Sequence, residues 1–144
     1  MSRVALIGDN TVEYIDQLLK IWNKGDCAVL IDWRIPFLTA VDMMHQAVVT
    51  TCYIERQLFD AAHIKEVCNI DFKSFEVSNK KAQILPSKVS QQFKENYSYD
   101  EALIIYTSGT TGESKGVILS HYAINTNADA MNIPPKLNTL TVLN

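Results

Sequence analysis

Three short strand-like runs, separated by two segments with helical periodicity, constrain the fold of this chain more than any other feature. The runs occupy residues 4–7, 27–31 and 50–54, and turn residues such as Gly8-Asp9-Asn10 close the first of them. Short runs of this kind, rich in apolar and β-branched residues, are typical of buried strands. Alternating strands and helices with short connections indicate parallel strands joined by right-handed crossovers. The sequence therefore predicts an α/β fold built on a parallel-sheet βαβ unit.

The segments between the runs carry start and stop signals for two helices. Asn10, followed three residues later by Glu13, resembles a capping box, and Lys24-Gly25 supplies a C-terminal stop. Pro36 suits the first position of the second helix. The predicted apolar faces are Val12, Ile15, Leu18, Leu19 and Trp22 in the first helix, and Phe37, Ala40, Val41, Met44, Ala47 and Val48 in the second.

Helices and strands are harder to predict from the sequence between residues 55 and 100 than in the residues that follow. A short helix around Leu58 and a strand within residues 67–75 are expected, and residues 83–96 are expected to be mainly loop. Residues 102–106 predict a further buried strand, and residues 116–119 predict another. Ser120 is placed to cap a last helix that runs through Met131.

Composition excludes several classes of protein. The chain has 144 residues, about one domain, and its net charge of −3 gives no reason to expect nucleic acid or an anionic membrane as a partner. The three cysteines have no metal-binding spacing and are expected to be reduced thiols. The N-terminal apolar run has four residues, too few for a signal peptide or a membrane span. A cytoplasmic protein is expected.

The segment from Tyr106 to Gly116, YTSGTTGESKG, contains five Ser or Thr hydroxyls, three glycines and one lysine directly after a predicted strand. Loops at the edge of a parallel sheet are where such folds bind ligands. Glycines let backbone N–H groups approach a phosphate, hydroxyls add donors, and Lys115 adds a full positive charge. Glu113 is expected to point away from such an anion. The pattern favours a phosphate-binding loop, and a mobile surface turn is the alternative.

The segment does not fit the P-loop of nucleoside triphosphatases, G-x-x-x-x-G-K-[ST]. Ser114 stands where that motif has its second glycine, and Gly116 stands where it has the magnesium-binding hydroxyl. The residues after Gly116 favour a strand, whereas a P-loop opens a helix.

The segment instead resembles the phosphate-loop signature of the adenylate-forming superfamily, which includes acyl-CoA synthetases, peptide-synthetase adenylation domains and luciferases. The similarity runs through YTSGTTGxxKGV and the following Leu119-Ser120-His121. Residues 3–36 also resemble the stretch that precedes this loop in the family, and the likeness covers about residues 3–56 and 101–122. Ser114 departs from the family pattern, which usually has proline before the lysine.

The resemblance implies a two-step reaction in which a carboxylate attacks ATP, pyrophosphate leaves, and the acyl group passes to coenzyme A or a carrier-protein thiol. It implies Mg²⁺ alongside the ATP and a catalytic role for Lys115, whose charge would stabilise the departing phosphates. The residues implied in phosphate binding are Thr107, Ser108, Gly109, Thr110, Thr111, Gly112 and Lys115. The interpretation requires the segment to remain unpaired from the sheet, with Lys115 directed at a cavity.

Members of this superfamily are several times longer than this chain. Residues 1–144 are therefore expected to form a partial N-terminal AMP-binding subdomain, without a complete C-terminal domain and inactive alone. The alternative is a non-catalytic interaction or structural module that keeps the scaffold without the chemistry. Either way, the uncovered sheet is expected to expose apolar surface and so cause self-association, or else residues 117–144 are expected to rearrange locally.

Overall fold

The structure is a computed structural model, and it describes residues 1–62, 69–78, 96–108, 114–129 and 140–143. These residues form one sheet of seven strands and four helices in the order β1 (Arg3–Ile7), α1 (Val12–Asn23), β2 (Cys27–Ile31), α2 (Phe37–Gln46), β3 (Thr51–Glu55), α3 (Arg56–Ala62), β4 (Asp71–Phe75), β5 (Glu101–Ser108), β6 (Ser114–Ser120), α4 (His121–Asp129) and β7 (Leu140–Leu143). Among the described residues, no helix has the length and hydrophobicity that crossing a bilayer requires.

The strand order across the sheet is β4-β3-β1-β2-β5-β6-β7. The first five of these strands are parallel, and the α/β prediction is confirmed for them. The remaining two strands, β6 and β7, pair antiparallel with their neighbours. The sheet is therefore mixed rather than purely parallel, because β5 and β6 are joined by a hairpin and not by a helical crossover.

The helices cover both faces of the sheet because the connection from β1 to β2 and the connection from β2 to β3 run in opposite directions across it. Alternate side chains of β1 point to opposite faces: Ala5 and Ile7 join one core cluster, and Val4 and Leu6 join the other. The first cluster contains the buried side of α2, and the second contains Leu18 and Ile21 of α1. We call these the α2 face and the α1 face. Right-handed crossovers running in opposite directions require this division.

The first helix confirms its predicted stop but not its predicted start. Gly25 has φ of +80°, so glycine ends the helix in the left-handed conformation that a side chain would oppose. The N-cap is Thr11 rather than Asn10, since the Thr11 hydroxyl accepts a 3.1 Å hydrogen bond from the Tyr14 amide. The backbone N–H of Asn10 instead donates a hydrogen bond to the Asp9 carboxylate.

The second helix ends earlier than its apolar pattern predicts. Ala40, Val41, Met44 and Ala47 are buried as expected, but the helix stops at Gln46. Val48 has φ of +58° and is 70% exposed, so its inclusion in the apolar face is wrong. The apolar spacing of 3.6 residues extends to Val48, although the helix has already ended at Gln46.

The later predicted elements agree with the structure where it describes them. The expected strands appear as β4, β5 and β6, and the Ser120 hydroxyl accepts from the Ala123 amide at the start of α4. Most of the expected loop at 83–96 and the predicted helix end at Met131 lie outside the described residues.

Two cysteines lie in the strands on either side of β1. Cys27 in β2 and Cys52 in β3 are fully buried and unbridged, as expected for reduced thiols, whereas Cys68 lies outside the described residues. Loss of hydration on burial raises the pKa of the Cys27 thiol to about 12, and it also raises the pKa of Cys52.

Candidate functional site

A groove of about 490 Å³ opens at the carboxyl ends of β1, β2 and β5. The loop after β1 leads to α1 on one face of the sheet, and the loop after β2 leads to α2 on the other. Adjacent loops that diverge in this way leave a crevice, which is the usual ligand position in open α/β sheets. The groove is lined by Gly8, Asp9, Asn10, Tyr14, Leu30, Ile31, Asp32, Trp33, Arg34, Ile105 and Tyr106.

One wall of the groove carries an ion pair between neighbouring residues of the loop after β2. The Arg34 guanidinium donates to both carboxylate oxygens of Asp32, at 3.1 and 2.7 Å. These hydrogen bonds lower the pKa of Asp32. Burial and the nearby Asp32 charge also raise the pKa of the Tyr14 phenol, which lines the same groove, to about 12. The groove is therefore lined by an ion pair and a phenol that is protonated at neutral pH.

Sequence reasoning missed this groove. From their positions in the sequence, Asp9 and Asp32 are too well separated to suggest a carboxylate pair, and Trp33 is expected to pack against the sheet edge. The structure brings both carboxylates to one groove, and Trp33 is 43% exposed at its rim. The signal available in the sequence was positional, since both carboxylates follow adjacent parallel strands and the carboxyl ends of such strands share an edge.

The predicted phosphate-binding segment begins at this groove and forms a β-hairpin. In the ladder between β5 and β6, Thr107 pairs with Lys115 and Ser108 pairs with Ser114. The expectation that all of residues 106–116 would be unpaired loop is therefore wrong at both ends. Residues 109–113, between these paired ends, lie outside the described residues, so the structure tests the requirement only at the two ends of the segment.

The structure places the predicted site residues unequally. For Thr107, Ser108 and Lys115 it describes the backbone, which lies in the paired strands at the end of the hairpin. Gly109, Thr110, Thr111 and Gly112 lie outside the described residues. Within the described ranges, no three His, Cys, Asp or Glu side chains are grouped to hold a metal ion.

The hairpin joins the sheet through Tyr106, which lines the groove and is 5% exposed. Its hydroxyl donates a 3.2 Å hydrogen bond to the Met43 carbonyl of α2. Burial raises the pKa of the phenol, an effect that the Arg3 charge partly opposes, so Tyr106 remains a protonated donor at neutral pH. From its position in the sequence Tyr106 is expected to pack rather than react, and the structure adds a hydrogen bond that the sequence did not predict.

His121 opens α4 at the other end of β6. Its position in the sequence allows two roles, orienting a loop hydroxyl or capping a helix, and favours the structural one. Its side chain is buried, and its ring meets the Trp22 ring edge-on at a centroid separation of 5.7 Å. Burial lowers its pKa, and the nearby Asp100 charge opposes that change. These contacts favour the structural role.

Together, the divided helix layers and the crevice between β1 and β2 define a doubly wound α/β domain with a ligand groove at the carboxyl edge of its sheet. The sequence profile of the family described as AMP-binding enzyme matches residues 1–143, and the chain belongs to that family.

Among curated proteins, the chain is 31% identical over 122 residues to a 2-succinylbenzoate–CoA ligase of Bacillus mycoides, an alignment that covers 83% of this chain and 23% of that protein. It is 32% identical over 132 residues to the N-(5-amino-5-carboxypentanoyl)-L-cysteinyl-D-valine synthase of Penicillium chrysogenum, covering 84% of this chain and 3% of that protein. The chain thus spans about a quarter, or less, of the length of these relatives.

Solved structures share the fold. The N-terminal domain of FACL13 from Mycobacterium tuberculosis superimposes with a TM-score of 0.66 at 20% identity, covering 91% of this chain and 34% of that one. A long-chain-fatty-acid–CoA ligase from Archaeoglobus fulgidus gives a TM-score of 0.67 at 21% identity, covering 90% of this chain and 27% of that one.

Proposed function

We propose that residues 1–144 form the N-terminal portion of an ATP-dependent, AMP-forming carboxylate ligase of the acyl-CoA synthetase type. In this proposal the 106–116 segment binds the phosphates of ATP. The observation that carries the proposal is the position of the segment, which leaves β5 beside the groove at the carboxyl edge of the sheet. Ligands of open α/β sheets bind at this edge.

The donor chemistry of the segment suits a polyphosphate. Hydroxyls of Thr107, Ser108, Thr110 and Thr111 would supply neutral donors, and glycine at positions 109 and 112 is the residue type that lets backbone N–H groups approach a phosphate closely. Lys115 supplies the positive charge and is the residue to which we assign a catalytic role. A cation close to the pyrophosphate end of ATP stabilises the negative charge that accumulates there when the bond to the α-phosphorus breaks.

The other reactants are proposed from the family and from the names of the relatives. A carboxylic acid would be the group activated, and coenzyme A or a carrier-protein thiol would accept it, since the relatives include a CoA ligase and a peptide synthase. Mg²⁺ would arrive with ATP, because this ion is usually held by phosphates and one or two carboxylates. We assign no residue of the described ranges to it. The buried, unbridged thiols of Cys27 and Cys52 support a reducing, cytoplasmic location.

Isothermal titration of the 144-residue chain with ATP and with pyrophosphate tests the proposal. Lys115→Ala is expected to weaken both ligands by about ten- to a hundredfold, the effect of losing a charge-assisted hydrogen bond. Lys20→Ala is the control, because Lys20 is exposed on α1 at a groove by the amino end of the sheet. The chain alone is expected to show no carboxylate-dependent exchange of pyrophosphate into ATP.

Two results would overturn the proposal. Absence of ATP and pyrophosphate binding to the unaltered chain would favour a non-catalytic interaction or structural module. Equal weakening by Lys115→Ala and Lys20→Ala would show that binding depends on overall charge rather than on the 106–116 segment.

A further inference from the structure

The side chain of Tyr106 lies across a glycine on the neighbouring strand. Tyr106 and Gly116 are directly paired in the antiparallel ladder at the base of the hairpin. A Cβ atom at position 116 would lie 3.1 Å from Cζ of Tyr106 and 3.2 Å from Cγ2 of Ile104. Such separations are tighter than ordinary van der Waals contact. A side chain at residue 116 would therefore require the ring to move by a few tenths of an ångström.

From that position the phenol reaches α2. Its hydroxyl donates to the Met43 carbonyl, which also accepts the Ala47 amide at 2.9 Å in the last turn of the helix. One carbonyl therefore joins the end of α2 to the base of the hairpin. The contact is buried, where a hydrogen bond left unmade is costly.

The same turn of α2 also holds the amino end of β5. The Ala47 carbonyl accepts a 3.0 Å hydrogen bond from Arg3, whose guanidinium donates to both carboxylate oxygens of Glu101 at 3.0 and 2.7 Å. Glu101 begins β5, and Tyr106 stands two residues before its end. Strand β5 is thus fixed to one helical turn near both of its ends, through Arg3 at one end and Tyr106 at the other.

We propose that Tyr106 is the positioning residue of the phosphate-binding hairpin: its ring over Gly116 and its hydroxyl on Met43 set the direction of the described hairpin base, residues 106–108 and 114–116, relative to the rest of the sheet. This inference rests on the proposed function, because it assigns the purpose of that direction to phosphate binding by Thr107, Ser108 and Lys115. A hairpin that samples other directions is competent for only part of the time, and its apparent affinity falls by that fraction.

The test compares Tyr106→Phe with Tyr53→Phe, which removes a hydroxyl from β3 on the α1 face, remote from the hairpin. Titration with ATP and amide hydrogen exchange at residues 106–108 and 114–116 are measured for both variants, well below their unfolding temperatures. Tyr106→Phe is expected to weaken ATP about three- to tenfold, the effect of losing one buried hydrogen bond, and to speed exchange in the hairpin but not in β1 and β2. Tyr53→Phe is expected to change neither quantity.

Gly116→Ala supplies a second variant that does not alter Tyr106 itself. It is expected to displace the ring, to weaken ATP and to speed exchange in the same segments. In a Tyr106→Ala background the added methyl group has no ring to displace, so Gly116→Ala is expected to cost less than half as much affinity there. Equal effects of Gly116→Ala in the two backgrounds would overturn the proposed ring–glycine contact.

The outcomes separate the two proposals. If the unaltered chain binds ATP and Tyr106→Phe retains both its affinity and its hairpin exchange rates within twofold, the positioning role is wrong and the phosphate site stands. If the unaltered chain binds no ATP, the proposed function is wrong. The claim that Tyr106 orients the hairpin for phosphate binding is then wrong as well. Exchange in the hairpin then decides whether Tyr106 still orients that segment.

Discussion

The indole nitrogen of Trp22 donates a 2.8 Å hydrogen bond to the carbonyl oxygen of Ala102. Ala102 lies where the pairing of β5 with β6 shifts register, between Glu101 and Leu103. A bulge of this kind disrupts the ladder locally, and the side chain of α1 supplies a donor at that point. Strand β5 is therefore held from the α1 face by Trp22 and from the α2 face by Tyr106.

Trp22→Phe is expected to lower the free energy of unfolding by about 1–3 kcal/mol, because it leaves the buried Ala102 carbonyl without this donor. Denaturant unfolding followed by far-ultraviolet circular dichroism measures the change. Trp33→Phe is the matched control, since Trp33 is 43% exposed, and a change within about 0.5 kcal/mol is expected for it. Equal costs for the two variants would contradict this account.

Thr11→Ala is expected to destabilise the protein by about 1 kcal/mol, the usual cost of losing an N-cap side chain. The Thr11 hydroxyl is buried and accepts the Tyr14 amide at the start of α1. Asn10→Ala tests the cap that the sequence favoured and is expected to cost less than about 0.5 kcal/mol, as an exposed substitution. A larger loss from Asn10→Ala than from Thr11→Ala, measured by denaturant unfolding, would reverse the assignment.

Val48→Gly is expected to stabilise the protein by about 0.5–1 kcal/mol. Val48 has φ of +58°, a conformation that costs a residue with a side chain about 1–2 kcal/mol, and its 70% exposure means that little packing is lost. The greater freedom of glycine in the unfolded chain offsets part of the gain. Asn69→Gly is the comparison, because Asn69 has φ of +57° and asparagine tolerates that region. A melting temperature for Val48→Gly at or below that of the unaltered chain would refute the expectation.

The pH dependence of stability is expected to include a contribution from His121. Burial lowers its pKa in the folded protein, so between that value and about 6.5 the unfolded chain binds more protons. The contribution of His121 to stability is therefore fully present above the pKa of this residue in the unfolded chain, and it is lost as the pH falls from that value through the pKa in the folded protein. Substitution by Gln removes this term, so His121→Gln is expected to lose less stability than the unaltered chain between pH 7.5 and 5.

Denaturant unfolding of the unaltered chain and of His121→Gln at pH 7.5 and at pH 5 measures the difference. If both proteins lose the same stability between these pH values, the buried imidazole is not responsible for the loss at low pH.

Self-association is expected through the α1 face of β5 and β6. Two directly paired sets of apolar side chains, Leu103 with Leu119 and Ile105 with Val117, remain half-buried there. Leu119→Glu is expected to shift the sedimentation profile of the 144-residue chain toward monomer. Leu38→Glu, at an exposed position on α2, is the control and is expected to have no effect. A chain that sediments as a monomer at every concentration would exclude this surface as an interface.

The sequence predicted the parallel part of the fold because its signals are local. The runs that became β1, β2 and β3, and the glycine that ends α1, depend on neighbouring residues alone. The errors arose where tertiary structure decides. Thr11 rather than Asn10 caps α1, and Val48 leaves the helix although its spacing continues the apolar face. The groove was missed because its walls come from three strands, and their proximity follows from strand order rather than from any motif.

The sulfur atoms on either side of β1 have a practical consequence. Alkylating reagents attack the thiolate form, and both Cys27 and Cys52 are fully buried with raised pKa values. Both lie in the core cluster of the α2 face, so they become reactive only in openings that uncover that face of the sheet. In a Cys68→Ser variant, in which no third thiol competes, the rate at which an added maleimide modifies them therefore reports how often the middle of the sheet becomes exposed.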